Sequence, residues 1–184
     1  MTAPRVIGFA GRKGSGKSTA ARALKDHAEL SVHLLNFADP LKRMLRVFLT
    51  AEQTDGDHKE QPIDWLDGVT PRRLMQTLGT EWGRDTVHTD FWIKLWEREA
   101  VDLLGWAGTV VVVADVRFPN ELAAIRRLGG KVIWIDRSAA ISDRHVSERL
   151  LDYTDCDGLL CNESTVETLA REIVHMSQAW GALG

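Results

Sequence analysis

At 184 residues, with 44% hydrophobic and 27% charged side chains, the chain is sized for one packed core with an excursion, and its composition, ordinary for a soluble globular protein, does not indicate disorder. A formal net charge of −3 excludes a surface built to neutralise a nucleic-acid backbone, so anionic ligands must be held by locally placed Arg and Lys. The two cysteines, Cys156 and Cys161, are too few for a disulfide framework and wrongly spaced for a zinc ribbon, and read as buried or idle thiols of a reducing cytoplasm.

Val6–Ala10 reads as a short buried strand. Its apolar run is too short for a signal peptide and is followed by glycines and charges. The Gly-rich segment after it opens a helix over about Gly16 to Leu30, and Val32–Ala38 reads as a second strand. Pro40 restarts the chain in a helix with Leu41, Met44, Leu45 and Phe48 at helical spacing. Residues 51–69 are polar, lack a clear period and read as a surface loop. Thr70-Pro71 gives an N-cap followed by proline at the first helical position, with Leu74, Met75 and Leu78 inward and an end near Gly79 or Gly83.

A further helix runs from about Asp90, with Phe91, Leu95 and Leu103 among its apolar positions, and stops at Gly105. Thr109–Ala114 is a continuous β-branched run, as in a strand buried on both faces of a parallel sheet. A helix over Asn120–Leu128, a strand over Lys131–Ile135 and a last strand over Gly158–Cys161 follow. Asn162 and Ser164 introduce the closing helix, with Val166, Leu169, Ile173 and Val174 inward. Strands alternating with helices imply an α/β fold, an open parallel sheet wrapped on both faces. The longest apolar stretch, Trp106–Ala114, is far short of a membrane span, so no membrane partner and a cytoplasmic location are expected.

Gly11-Arg12-Lys13-Gly14-Ser15-Gly16-Lys17-Ser18 fits the phosphate-loop pattern G-x-x-x-x-G-K-[ST], with a strand before it and a helix after it. Its glycines let successive N–H groups turn inward onto phosphate oxygens, and the helix beginning there adds its positive end. These residues and Thr19 are the predicted ATP contacts. Lys17 reaches the β and γ phosphates, and the Ser18 hydroxyl is one ligand for Mg2+. Asp115, at the end of the Thr109 strand, is the predicted second metal ligand, since ligands bind at the carboxyl edge of such sheets. The next residue is Val116 rather than Glu, and no Asn-Lys-x-Asp run occurs, which weighs against a motor ATPase and a GTPase.

Arg72, Arg73, Arg84, Arg117, Arg137 and Arg144 follow the loop, and planar guanidinium groups suit bidentate phosphate contacts. Phe37-Ala38-Asp39-Pro40-Leu41-Lys42, Arg73-x-x-Gln76-x-x-Gly79-Thr80, Arg84, Asp90-x-Trp92, Asp115-x-Arg117-Phe118-x-Asn120-Glu121 and His145-x-Ser147-Glu148 stand in order along the chain. In that order and spacing the chain resembles the bacteriophage-type deoxynucleoside monophosphate kinases. The resemblance spans Val6 to about Leu169.

The resemblance implies a P-loop NTPase three-layer sandwich with a five-stranded parallel sheet, in one kinase domain. It implies ATP as donor, a deoxynucleoside monophosphate as acceptor, and often a homodimer. Residues 39–105 become an acceptor-binding insertion that includes Asp39, Lys42, Arg73, Gln76, Gly79, Arg84 and Trp92, with Arg117 added from beyond it. Residues 137–148 become a lid that brings Arg137 and Arg144 to the transferring group beside Lys17 and Arg73. Asn162 would lie near the adenine. Two alternatives stay open: a hydroxyl kinase resembling dephospho-coenzyme-A kinase, with Asp39 as base, and a nucleotide-binding regulator without catalysis. Asp39 could also simply cap the Pro40 helix.

Overall fold

The computed structural model describes residues 4–27, 31–138 and 151–182. These fall into two compact units, Met1–Asn36 with Glu97–Gly184, and Phe37–Trp96.

The first unit is built on five parallel strands: β1 (Val6–Ala10), β2 (Ser31–Leu34), β3 (Thr109–Val113), β4 (Lys131–Asp136) and β5 (Gly158–Cys161), in the order β2-β3-β1-β4-β5. Every residue of β1 and β3 is buried, which explains why their sequences do not alternate: both faces are covered. Ile7 and Phe9 point into a core with Ala20, Ala21 and Leu24 of α1 (Lys17–His27) and Leu169 and Ile173 of α7 (Val166–Ala179). Gly8, between them, faces the other way and meets Ile125 of α6 (Pro119–Arg127), so helices cover both faces of the sheet.

The second unit holds α2 (Asp39–Leu45), α3 (Ala51–Thr54), α4 (Pro71–Gln76), a π-helix over Thr77–Val87 and the first turns of α5 (Phe91–Leu104). Its own core joins Leu41, Leu45, Leu49, Ile63 and Trp92, with Leu74, Met75, Leu78, Phe91 and Leu95 packed against them.

Several expectations change. Residues 51–69 are not a plain surface loop. Thr50 and Gln53 form a capping box that starts α3, two short 3₁₀ turns follow, and Ile63, 4% exposed, anchors the segment. β2 ends at Leu34 rather than Ala38. Met44 and Phe48 are exposed, as is Val166. The Thr70 helix is capped as predicted, the hydroxyl accepting from Arg73 N at 3.2 Å, but it passes into the π-helix instead of stopping at Gly79 or Gly83. Thr165, not Asn162 or Ser164, caps α7. Cys161 is exposed, while burial and the charges of Asp155 and Asp157 push the Cys156 thiol up to about 12, so that thiol is idle. Among the described residues no helix is long and apolar enough to cross a membrane.

Candidate active site

The chain leaves β1 at Ala10 and enters α1 at Lys17, and six residues make the turn between them. Gly11 has φ 135° and Gly16 φ 106°, where L side chains are strained. Space forbids a side chain as well. A Cβ on Gly11 would lie 2.3 Å from the Ile135 carbonyl oxygen, and one on Gly16 2.5 Å from Asn162 Nδ2. Ser15 N donates to Arg12 O at 3.1 Å, closing the turn. Lys17 Nζ donates to Gly11 O at 2.6 Å and Arg12 O at 2.7 Å, so the ammonium is held over the loop by its own carbonyls. Lys13, Gly14 and Ser18 are exposed and Thr19 is half-buried. Ser15 is fully buried, and its hydroxyl has no partner among the described residues.

Asn162, expected near the adenine, is bonded to the phosphate loop itself. It is 7% exposed, its Nδ2 donates to Ser15 O at 2.8 Å, and its backbone N donates to Asp136 O at 2.7 Å. It therefore braces the phosphate loop from beneath, tying it to the end of β4.

β1 and β3 are parallel neighbours, so Asp115, just past β3, leaves the sheet at the same edge as the loop. Asn36 Oδ1 accepts from Ala114 N at 2.8 Å and fixes that edge. Asp115 is half-buried, Val116 is 1% exposed and Arg117 is exposed. Arg117, expected on the acceptor side, lines one cavity with Gly11, Arg12, Lys17 and Trp134. Glu121, 2% exposed, sets this turn: its Oε2 accepts from Arg117 N at 2.8 Å and Phe118 N at 3.1 Å. Its signal in the sequence is a glutamate in the first turn of a helix, reaching back to the N-cap N–H.

The hydroxyl of Ser18 and the carboxylate of Asp115 are hard oxygen donors, which fits a magnesium ion held mostly by phosphates and water. Among the described residues no group of three or more His, Cys, Asp or Glu gathers as a self-sufficient metal cage.

In the second unit, Arg73 and Gln76 are exposed three residues apart on α4, and Arg84 is half-buried on the π-helix. Trp92 is not available as an acceptor contact. It is 3% exposed in the core, and its Nε1 donates to Gly79 O at 2.8 Å, so Gly79 is likewise a packing position. Asp39 is the first residue of α2 and Ala38 holds the N-cap position, so Asp39 is not the N-cap residue of its helix. Lys42 Nζ lies 3.9 Å from Asp39 and 3.0 Å from Asp55, a residue the sequence reading passed over. Arg137 is exposed just after β4. Arg144, His145, Ser147, Glu148 and most of the expected lid lie outside the described residues.

A model of the family described as deoxynucleotide monophosphate kinase matches residues 59–173. A protein of Acanthamoeba polyphaga mimivirus, provisionally named a deoxynucleotide monophosphate kinase, is 37% identical over 92% of this chain and 94% of its own length. The chain belongs to the deoxynucleotide monophosphate kinase family. The deoxynucleotide monophosphate kinase of Escherichia phage RB69 is 33% identical over 55% of this chain, which spans only 42% of that phage protein. Among solved structures, a Mycobacterium tuberculosis APS kinase superposes with a TM-score of 0.50 at 15% identity, over 97% of this chain and 99% of that one, a likeness of fold.

Membership makes the protein a phosphotransferase. The first unit carries the glycine loop, Lys17, Ser18, Asp115 and Arg117, a set suited to a polyphosphate and its metal. The second carries Arg73 and Gln76, both exposed on α4.

Proposed function

We propose that the protein transfers the terminal phosphoryl group of ATP to a deoxynucleoside monophosphate, giving ADP and the deoxynucleoside diphosphate. The loop Gly11–Ser18 carries this reading: a glycine-rich turn with positive φ at Gly11, Gly14 and Gly16 leads from β1 into the start of α1, with the Lys17 ammonium folded over it, the arrangement suited to a phosphate. Lys17 exchanges the carbonyls of Gly11 and Arg12 for oxygens of the β and γ phosphates. Ser18 and Asp115 would hold a magnesium ion, which when bound spreads the charge of the terminal phosphates. Arg73 holds the acceptor phosphate and Gln76 the base edge, with Arg84 beside them. Arg137, with Arg144, meets charge developing on the moving group.

An acceptor phosphate oxygen attacks the γ phosphorus, and the bond from that phosphorus to the bridging oxygen breaks as ADP leaves. A phosphate monoester has a second pKa of about 6, so the attacking oxygen is already ionised at neutral pH. Asp39 is then not required as a base, which favours this reading over a hydroxyl kinase.

The test is ADP release from ATP and magnesium with each of dAMP, dCMP, dGMP and dTMP, set beside the ribonucleotides and hydroxyl acceptors. Turnover with at least one deoxynucleoside monophosphate is expected. Turnover with hydroxyl acceptors alone, or with no acceptor, overturns the proposal.

A further inference from the structure

The turn that carries Asp115 is held on both sides by side-chain acceptors. Past it, Glu121 accepts from Arg117 N at 2.8 Å and Phe118 N at 3.1 Å. Before it stands Asn36. β2 and β3 run parallel in the register Ser31↔Thr109 to Leu34↔Val112, and Leu35 N donates to Val112 O at 2.9 Å just beyond the last residue of β2. Further up β3, Ala114 N donates to Asn36 Oδ1 at 2.8 Å. A side-chain amide therefore carries the ladder on where β2 has already ended, and the main chain is free to turn into α2 at Asp39.

Asp115 lies between these anchors, and both of its neighbours in sequence are fixed. Ala114 is tied by Asn36 and packs against the core of the sheet, while Val116 is 1% exposed. A carboxylate binds a cation best when its oxygen is already held where the ion will sit. Groups that orient a metal ligand without touching the metal are worth about 10–100-fold in affinity. Asp115 is the one carboxylate proposed for the ion, and Ser18 adds only a neutral hydroxyl. A shift of Asp115 away from the loop would therefore leave the ion with little protein charge to hold it.

We infer that Asn36 is a positioning residue for the magnesium site: its amide oxygen, by holding Ala114 N, sets the carboxylate of Asp115 at the sheet edge where the phosphate loop begins. The inference rests on the reading of Ser18 and Asp115 as metal ligands and adds to it a residue that acts through Ala114. No sequence pattern marks it, because a reading that runs the second strand to Ala38 treats position 36 as one more strand residue. The rival is an asparagine that only finishes β2. Its loss would lower the melting temperature and leave the response to magnesium where it was.

Calorimetric titration of the full chain with ATP, first in chelator and then at graded magnesium, separates the two. Asn36→Ala should leave ATP affinity in chelator unchanged and move the midpoint of its magnesium dependence upward about tenfold. Asn36→Asp, which keeps an oxygen acceptor for Ala114 N, should hold the midpoint at the wild-type value or below it. In a chain already carrying Asp115→Asn, Asn36→Ala should add nothing further, because the charge it positions is gone. Where Asn36→Ala does not fold, Asn36→Gln displaces the same contact by one methylene and should move the midpoint in the same direction. An unmoved midpoint in the folded variant, an equal loss of ATP affinity with and without magnesium, or additive effects of the two substitutions overturns the proposal. A wild type whose ATP binding ignores magnesium overturns the metal reading itself, a result distinct from a magnesium-dependent protein indifferent to Asn36.

Discussion

Lys17 shows how a single side chain is prepared for its task. Its ammonium rests on two neutral carbonyl oxygens of the loop, at 2.6 and 2.7 Å, and anionic phosphate oxygens are the stronger acceptors. On the proposed reading the charge is then already over the loop when the nucleotide enters, and little reorganisation remains for the reaction. Lys17→Met should lower kcat by about a hundredfold or more while the melting temperature of the ligand-free protein stays close to that of the wild type. A near-normal kcat would remove this loop as the reacting centre. Asn162 acts one step further back, through the Ser15 carbonyl it supports. Asn162→Ala leaves that buried acceptor without its partner, a cost of about 1–3 kcal/mol. Both the melting temperature and ATP affinity should fall, and the preference for ATP over GTP should not move. A changed preference between the two nucleotides would instead place Asn162 at the base.

Among the elements, the passage from α4 into the π-helix is the one the sequence conceals. Leu74, Met75 and Leu78 fit a helix stripe whether the turn is narrow or wide, so apolar spacing says nothing of the change. What accompanies it is a pair of glycines against an aromatic ring. Gly79 gives its carbonyl to Trp92, and a Cβ on Gly83 would stand 2.4 Å from Trp92 Nε1. Two effects then oppose each other in Gly83→Ala: helix propensity favours alanine by about 1 kcal/mol, while overpacking costs about 1–3 kcal/mol. The ring is rigid and 97% buried by its 3% exposure, so overpacking wins and the variant should melt earlier, with a raised KM for the acceptor and none for ATP. A higher melting temperature would show that the ring gives way. The parallel strands, by contrast, were legible because burial on both faces writes itself as an unbroken β-branched run, as at Thr109–Val113. The Thr70-Pro71 start was legible because capping is local chemistry. Thr50 and Gln53 carried the same kind of signal for α3, but the polar composition around them masked it, and Ile63 was a lone anchor without a period. Trp92 was not legible for a physical reason: a residue that lies in a functional pattern also serves by packing, and sequence order does not separate the two.

At the scale of the whole molecule, the residues proposed for the donor and the α4 and π-helix residues proposed for the acceptor fall in different compact units, each with its own hydrophobic core. Ligands that bind only the native state stabilise it by mass action, about 2.7 kcal/mol at a hundred times Kd, and each kcal/mol raises the melting temperature of a chain of this size by ~2–4 °C. ATP with magnesium should therefore raise the melting temperature by several degrees. Chelating the metal should remove much of that gain, because Ser18 and Asp115 supply too few ligands to keep the ion without the nucleotide. Hydrogen exchange resolves the same linkage along the chain, since amides report the unit in which protection arises. ATP–magnesium should slow exchange at the loop and first turns of α1, and a deoxynucleoside monophosphate should slow it within Phe37–Trp96. Asp115→Asn should leave the second effect intact and make the first require more magnesium. Protection by the monophosphate confined to the loop would mean that the loop binds phosphate indiscriminately, and the division of donor and acceptor between the two units would have to be abandoned.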